Sequence, residues 1–275
     1  MDLRYVNSRG IELNLTQWPY MYSSGDIYDF MWSYEMASGN SNRITEFYKA
    51  PLEMPIKISI TADTEEEFSN AVNHLFETTE VDIIDLTPGK LYLGDMYMKC
   101  YIRGIKKAKF NAGIEFMLSE LNIIAEKPCW IKEKKIAYVK REPVPNGFLD
   151  YPYDYSYDYT PNNINCVELE NEEVEACDFK AVIQGPCMNP GFYIGSQNYQ
   201  IMTELSSYEY IVLDSMTRTV YKVSRTGRVE NIWNNLNKEY DNFAKIPTGV
   251  HIMEAYDKFP FEITLYERRS EPKWS

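Results

Sequence analysis

Residues 55–78, PIKISITADTEEEFSNAVNHLFET, combine the two periodicities that decide the fold class. Isoleucines alternate with polar residues from Ile56 to Ile60, which is the period of a half-buried strand. Asp63 is placed to cap a helix, and three glutamates follow where the helix dipole favours negative charge. Apolar residues then recur at helical spacing: Phe68, Val72, Leu75 and Phe76. The stretch predicts a strand followed by a helix over Thr64 to about Thr78.

Strand-like runs lie on both sides of this helix. Ile11 to Trp18 alternates apolar and polar residues and predicts a strand, whereas Ser23 to Asn42 has neither period and predicts a loop with aromatic anchors. Glycines separate three further predicted strands: Lys90 to Tyr97, Cys100 to Phe110 and Ala112 to Ile124. One helix among strands predicts an α+β first domain that ends near Arg141.

The composition changes abruptly after this domain. Residues 150–160 read DYPYDYSYDYT, and Asn146 to Asp178 contains nine acidic residues and no Lys or Arg. An acidic, Tyr-rich linker at 146–165 is therefore expected between two domains. Beyond it, short strands separated by turn residues predict a β-sandwich over 166–260, with a meander among its middle strands. These strands are Phe179 to Gln184, Tyr193 to Ile194, Gln200 to Leu205, Tyr208 to Asp214, Arg218 to Ser224 and Gly249 to Ala255.

Composition bounds the function. The chain has 275 residues, 44% hydrophobic and 15% aromatic, which is ample for real cores. Its 28 basic residues against 41 acidic ones give a net charge of -13, so no basic footprint for nucleic acid exists. The polar N-terminus predicts neither a signal peptide nor a membrane span. The five cysteines match neither a zinc pattern nor a short disulfide framework, and reduced thiols are expected.

Catalytic motifs are scarce in the sequence. The two histidines, His74 and His251, have no partner at metal-ligand spacing, and no nucleophile elbow or phosphate loop accompanies them. A carboxylate pair of the glycosidase kind stays open, because acids abound. The Tyr-rich run with Asp150, Asp154 and Asp158 suggests a calcium site or a sugar-stacking surface, but an acidic linker is favoured because the EF-hand spacing is missing. The sequence therefore predicts no enzyme, and no catalytic, cofactor or metal residue.

Short local signatures follow one another along nearly the whole chain. The first half carries Gly94–Ile105 and Glu126–Trp130, and the second carries Tyr210–Asp214, Arg218–Val220, Phe243–Gly249 and Tyr266–Trp274. In order and spacing they resemble the distal tail (Dit-like) proteins of long-tailed, siphovirus-type phages. Val250-His251, where the family pattern has a small polar residue, and the Tyr-rich linker depart from that resemblance.

The resemblance implies an α+β, mainly β protein with a ring-forming domain over 1–145 and a galectin-like β-sandwich over 166–260. A homo-hexameric ring, or two rings back to back, would join the tail tube protein to a tail-associated baseplate or lysin protein. The sandwich would hold receptor-binding proteins or polysaccharide. Such a protein is made in the cytoplasm of the bacterial host and ends at the virion tail tip, with no specific nucleic acid or membrane as partner.

Two alternative functions, a C-terminal tail and two structural anchors are also predicted from the sequence. A carbohydrate-binding module for host cell-wall polysaccharide is the alternative function, and a polysaccharide hydrolase with no nominated carboxylate is a third. Residues 261–275 are expected to form a C-terminal tail that packs back on the first domain or the linker. Trp130 and Trp274 are the predicted structural anchors, since large aromatics dominate burial energetics.

Overall fold

The computed structural model describes residues 2–37, 43–110, 115–138, 166–257 and 259–273. The chain forms two compact units: one is Met1–Lys132 with Arg268–Ser275, and the other is Glu133–Glu267. Strands dominate both units, and the only α-helix of the described residues lies in the first. The predicted α+β, mainly β class is confirmed. That helix is too polar to cross a membrane.

Within the described residues, the first unit contains one helix, nine whole strands, the start of a tenth strand and the last two residues of the chain's final strand. Their bounds are β1 Leu3–Val6, β2 Glu12–Asn14, β3 Tyr20–Gly25, β4 Ser33–Met36, β5 Ile44–Tyr48, β6 Leu52–Thr61, α1 Glu65–Ile84, β7 Gly89–Leu93, β8 Met96–Phe110, β9 Phe116–Ala125 and β10, which begins at Trp130 and ends at Tyr138 in the second unit.

The long strand β8 belongs to two sheets. Its first half pairs with β7, which leads through β1 to β2, and its second half pairs with β9, which leads through β6 to β3. Bulges between Ile102 and Gly104, and between Lys107 and Lys109, re-aim the second half. Helix α1 packs on β8 and β6, and a single hydrophobic core lies beneath it.

Helix α1 differs from its prediction at both ends. Thr64, not Asp63, is the N-cap: its hydroxyl accepts a hydrogen bond from the Glu67 backbone N–H at 3.2 Å. The helix continues past Thr78 to Ile84, because its last turns are held from outside. Asn7 donates to the Thr78 carbonyl at 3.1 Å, and Asp82 is bound by β1 and the residues that follow it.

Two strand predictions and one loop prediction in the first unit were wrong in extent. Ile11 to Trp18 is a strand only over Glu12–Asn14, because the Asn14 side chain accepts from Thr16 and turns the chain. Lys90 to Tyr97 is two strands, since Gly94 adopts a φ of +60° in the turn between them. The predicted loop from Ser23 to Asn42 contains the end of β3, whose partner β6 is distant in sequence, and all of β4, which pairs with the short strand β5 that follows it.

The second unit consists of strands and one 3₁₀ helix within its described residues. Their bounds are the end of β10, β11 Val167–Asn171, β12 Asp178–Gln184, β13 Cys187–Met188, β14 Gly191–Ile194, β15 Gln197–Gln200, β16 Glu204–Leu205, β17 Tyr210–Asp214, β18 Thr219–Val223, β19 Val229–Asn231, the 3₁₀ helix Trp233–Asn235, β20 Gly249–Ala255 and β21 Phe261–Arg269.

Two sheets of this unit share one core, which makes it a β-sandwich. One has the order β19-β18-β17-β12-β21-β10 and the other β11-β20-β14-β15. Phe179 of the first sheet meets Phe192 and Tyr199 of the second edge to face, at centroid distances of 6.4 and 5.0 Å. Phe192 also stacks on Phe261 at 5.0 Å. Such ring pairs add to the burial of apolar area in holding two sheets together.

The meander predicted among the middle strands of this unit is formed by the strands that flank the turns at 214–217 and 225–227. It is β17-β18-β19, and an Asp214 carboxylate that accepts from the Met216 and Thr217 backbone N–H groups forms its first turn. The predicted strand Gln200 to Leu205 was wrong, because the chain bends at Met202. Its two ends pair with different strands, β14 and β13.

The C-terminal residues differ from their prediction, and the predicted linker is not described by the structure. Residues 261–269, assigned to a C-terminal tail, form β21, which pairs with β12. The Tyr-rich linker 146–165 and Trp274 lie outside the described residues. The functional division into 1–145, 146–165, 166–260 and 261–275 and the galectin-like character of the sandwich stay predictions.

Candidate assembly surface

The hairpin formed by β4 and β5 exposes a dense set of large apolar side chains. Tyr34 lies opposite Phe47 in the ladder, and their rings meet edge to face at 6.4 Å. Phe47 is 57% exposed, so this contact buries little of either ring. Other exposed apolar residues of the hairpin, or of the segment that leads into it, are Phe30, Met31, Trp32, Met36, Ile44 and Tyr48. A concentration of exposed apolar side chains of this kind is typical of an interaction surface.

The hairpin is also acidic. Glu35 and Glu46 lie directly opposite each other, and neither strand carries Lys or Arg. Beside the hairpin, the Lys49 ammonium lies 5.0 Å from the centroid of the Trp32 ring. Paired like charges on a two-stranded ribbon are unfavourable in isolation, and a cationic partner would relieve the repulsion.

A groove of about 460 Å³ runs between helix α1 and the second half of β8. Its walls are mainly apolar, and they include Val72, Leu75, Phe76, Ile83, Ile102, Ile105 and Met117. Arg103 and Lys107 stand at its rim, and Arg103 is held by Glu53 at 2.8 Å. The groove therefore offers apolar walls, and the charged residues that line it are Glu80, Arg103 and Lys107.

Two further apolar residues are exposed at the end of α1. Ile84 is largely exposed and Leu86 is 82% exposed, at a φ of +48°. Asp82 secures this turn from within: its carboxylate accepts from the Ser8 backbone N–H at 2.7 Å and from the Tyr5 hydroxyl. Burial raises the pKa of Tyr5 well above its ordinary value, so that its hydroxyl stays a donor. The exposed residues are thus presented by a rigid helix end.

Groups that could do chemistry are dispersed or masked by burial in the described part of the chain. His74 lies within 3.5 Å of the Thr78 hydroxyl on α1, whereas His251 contacts the Pro247 carbonyl oxygen at 3.0 Å in the other unit. Burial raises the pKa of Cys100 and of Cys177 to about 12, which disfavours a nucleophilic thiolate. No group of three or more potential metal ligands occurs among the described residues.

Of the residues nominated from the sequence, Trp130 lies within the part of the chain that the structure describes and Trp274 does not. Trp130 is 2% exposed and belongs to the core of the first unit, and its role as an anchor stays a prediction. Asp150, Asp154 and Asp158 lie outside the described residues. The hairpin was missed, although apolar residues on both sides of 38–42 hinted at it, because their strands are too short for periodicity to register.

The chain is similar to known proteins in structure but not detectably in sequence, and the structural similarity covers nearly the whole chain. No family model matches this sequence, and no curated protein is significantly similar to it in sequence. Among solved structures, the chain is similar to the SPP1 Dit (gp 19.1) protein, described as a paradigm of the hub adsorption apparatus in Gram-positive infecting phages. The TM-score is 0.60 at 12% identity, over 98% of this chain and 98% of that one.

Two further matches are chains of a phage baseplate. One is from the phage P2 baseplate in its activated conformation with Ca, with a TM-score of 0.66 at 10% identity over 99% of this chain and 100% of that one. The other is from the corresponding structure with Sr, with a TM-score of 0.62 at 10% identity over 98% and 99%. The resemblance read from the sequence is confirmed for the fold: both units together have the fold of phage distal tail (Dit) hub and baseplate proteins.

Proposed function

We propose that this chain is a structural subunit of the distal tail hub of a long-tailed phage or prophage, with no catalytic role. The observation that carries the proposal is the fold likeness, which extends over 98% of this chain and of SPP1 Dit, a hub protein. A match of both units in one chain is more specific than a match of either, since sandwiches serve many functions. On this proposal the protein lies at the virion tail tip after synthesis in the host cytoplasm.

The assembly step that we infer places the β4–β5 hairpin of one copy in the α1–β8 groove of the next. Both surfaces are largely apolar, and Lys107 of the groove is placed to meet the acidic pair Glu35 and Glu46, whereas Arg103 already pairs with Glu53. Two different patches on one chain make a heterologous interface, which closes into a ring when the rotation allows it. Six copies are the number implied by the family resemblance.

The finer partners follow from the hub role. The ring, single or paired back to back, is proposed to join the tail tube protein to a tail-associated baseplate or lysin protein, and the sandwich is proposed to hold a receptor-binding protein. A protein with a net charge of -13 also suits a conduit for DNA, because phosphates do not adhere to it.

The test is the molar mass in solution, measured by light scattering across a range of concentrations. We expect a species near six times 32.3 kDa, or a monomer in equilibrium with it. The double variant Tyr34→Ser, Phe47→Ser is expected to stay monomeric with an unchanged thermal midpoint, because both side chains are exposed in the single chain.

The matched control is Val174→Ser, which removes an exposed apolar residue from the other unit and should assemble like the parent. A monomer at every concentration would contradict self-assembly through these surfaces. Assembly of the double variant with the parent's affinity would refute the role of the hairpin.

A second candidate function is carbohydrate binding by the sandwich. The observation that favours it is the outward face of the four-stranded sheet, where aromatic and hydrogen-bonding side chains stand together around Tyr193. This function is compatible with the hub, because the hairpin and groove lie on the other unit.

A further inference from the structure

The outward face of the sheet β11-β20-β14-β15 carries a row of three side chains on three neighbouring strands. Tyr193 of β14 lies in register with Glu254 of β20 on one side and Asn198 of β15 on the other. Neighbouring strands are about 5 Å apart, so a carboxylate and an amide flank the phenol ring at that spacing. The alternate residues Phe192 and Ile194 point into the core, which directs Tyr193 outward, where it is 42% exposed.

A second tyrosine fixes the ring of Tyr193. The Tyr256 ring contacts that of Tyr193 at a centroid distance of 4.7 Å with an angle of 43°. Tyr256 lies over Gly191, where any Cβ would come within 2.5 Å of its ring, so glycine makes the room for it. The Tyr256 hydroxyl donates to the Asn198 side-chain oxygen. Burial raises the pKa of Tyr256 to about 12, which keeps this donor protonated.

The negative charge on the four strands disfavours anionic ligands. Glu168, Glu170 and Glu254 are exposed on them, and none of the strands carries Lys or Arg. A polyanion such as a phosphate-linked wall polymer would be repelled by this face. Val250 and Ile252 add exposed apolar surface next to the carboxylates. The combination suits a ligand that is uncharged, has an apolar face and presents hydroxyl groups at its edges.

We propose that the row Glu254–Tyr193–Asn198 is a binding site for an uncharged, hexose-based polysaccharide. A pyranose ring stacks on Tyr193 through its C–H face, the Glu254 carboxylate accepts hydrogen bonds from hydroxyls at one edge, and Asn198 bonds hydroxyls at the other. Tyr256 positions the stacking ring and takes no hydroxyl itself. The proposal rests on the second candidate function and names its site and its ligand class.

The experiment is affinity electrophoresis of the full-length protein in native gels that contain dextran, laminarin, a neutral galactan or a neutral rhamnan. Retardation by at least one of these polymers is expected. It should weaken about tenfold in Tyr193→Ala and in Glu254→Gln, because a stacked aromatic anchor carries much of the energy of such a site. Lipoteichoic acid in the gel should cause no retardation.

The matched control is Tyr208→Ala, which removes an exposed tyrosine elsewhere in the same unit and should be retarded like the parent. No retardation by any of the four neutral polymers would overturn the proposal. Equal retardation of the parent and Tyr193→Ala, or a preference for lipoteichoic acid, would overturn it too.

Failure of this site is distinguishable from failure of the hub. The molar mass of Tyr193→Ala should equal that of the parent, because self-assembly is assigned to the first unit. If the protein forms rings but binds none of the polysaccharides, the hub proposal stands and the sugar-site proposal fails. If the protein is a monomer that binds sugar through Tyr193, the sugar-site proposal stands and the proposal of self-assembly fails.

Discussion

At the scale of single residues, the buried carboxylate of Asp82 ties the end of α1 to the first strand. It accepts hydrogen bonds from the Ser8 N–H and the Tyr5 hydroxyl, and it has no exposed surface. Asp82→Ala leaves both donors without this acceptor, at about 1 to 3 kcal/mol each, so a loss of roughly 3 kcal/mol in the free energy of unfolding is expected. Urea titration measures it.

Asp85→Ala is the control for this prediction. Asp85 pairs with Arg9 at 2.8 Å near the same helix end, but both side chains are substantially exposed. Exposed pairs contribute about 1 kcal/mol or less. Equal losses for the two variants would show that the Asp82 network does not stabilise the first unit.

The buried carboxylate of Glu267 makes the stability of the fold depend on pH. Burial raises its pKa, and one of its oxygens has no hydrogen-bond partner among the described residues, with the Lys134 ammonium 4.0 Å away. The folded state therefore holds this proton more tightly than the unfolded state, so stability falls as pH rises from the ordinary glutamate range through the raised pKa. Glu267→Gln, which carries no charge, should remove that decline.

Thermal unfolding between pH 4 and pH 7.5 tests this prediction. The midpoint of Glu267→Gln should exceed that of the parent at pH 7.5 and approach it at pH 4. Glu262→Gln, at a half-buried position on the same strand, should follow the parent throughout. A lower midpoint for Glu267→Gln at pH 7.5 would mean that the ion pair with Lys134 outweighs the burial of the carboxylate.

At the scale of elements, two neighbouring residues, Asp63 and Thr64, are candidates for the N-cap of α1. The Thr64 hydroxyl accepts from the Glu67 N–H, whereas Asp63 is exposed and lies one residue too early. Thr64→Ala should lower the free energy of unfolding by about 1 kcal/mol, the usual value of an N-cap, and Asp63→Ala by less than half of that. Urea titration of the two variants checks the order, and the reverse order would restore the cap predicted from the sequence.

At the scale of the whole molecule, self-assembly brings together copies that each carry a net charge of -13. The few ion pairs available between the hairpin and the groove contribute at most about 1 kcal/mol each. Repulsion between whole copies therefore outweighs them, and salt should strengthen assembly, because the Debye length shortens from about 10 Å at 0.1 M to about 3 Å at 1 M.

Light scattering at 50 mM and 500 mM NaCl tests the balance between these terms. A larger fraction of assembled protein at the higher salt is expected. Dissociation at the higher salt would show that the pairing of Glu35 and Glu46 with Lys107 drives assembly, rather than the burial of apolar area.

Elements that depend on residues close together in the sequence were predictable, whereas those that depend on the conformation of the folded chain were not. The helix from Glu65 was predictable because its cap region, acidic first turn and apolar face lie within a few residues of one another. Strand Gly249–Ala255 was predicted with its observed bounds. The split of Lys90 to Tyr97 at Gly94 was missed, although that glycine was visible, because only its positive φ decides that the chain reverses there.

The sequence by itself determined the α+β class, a chain without basic or catalytic patterning, and an order of motifs that resembles distal tail proteins. Each of these depends on composition or on neighbours along the chain. Only the tertiary structure decided that β4 and β5 form an exposed hairpin, that α1 and β8 enclose a groove, and that Glu254, Tyr193 and Asn198 form one row. Helix α1 and β8, and Tyr193 and Glu254, meet through packing and pairing across tens of residues, of which periodicity along the chain carries no record. The β4–β5 hairpin is local, but its strands are too short for periodicity to register.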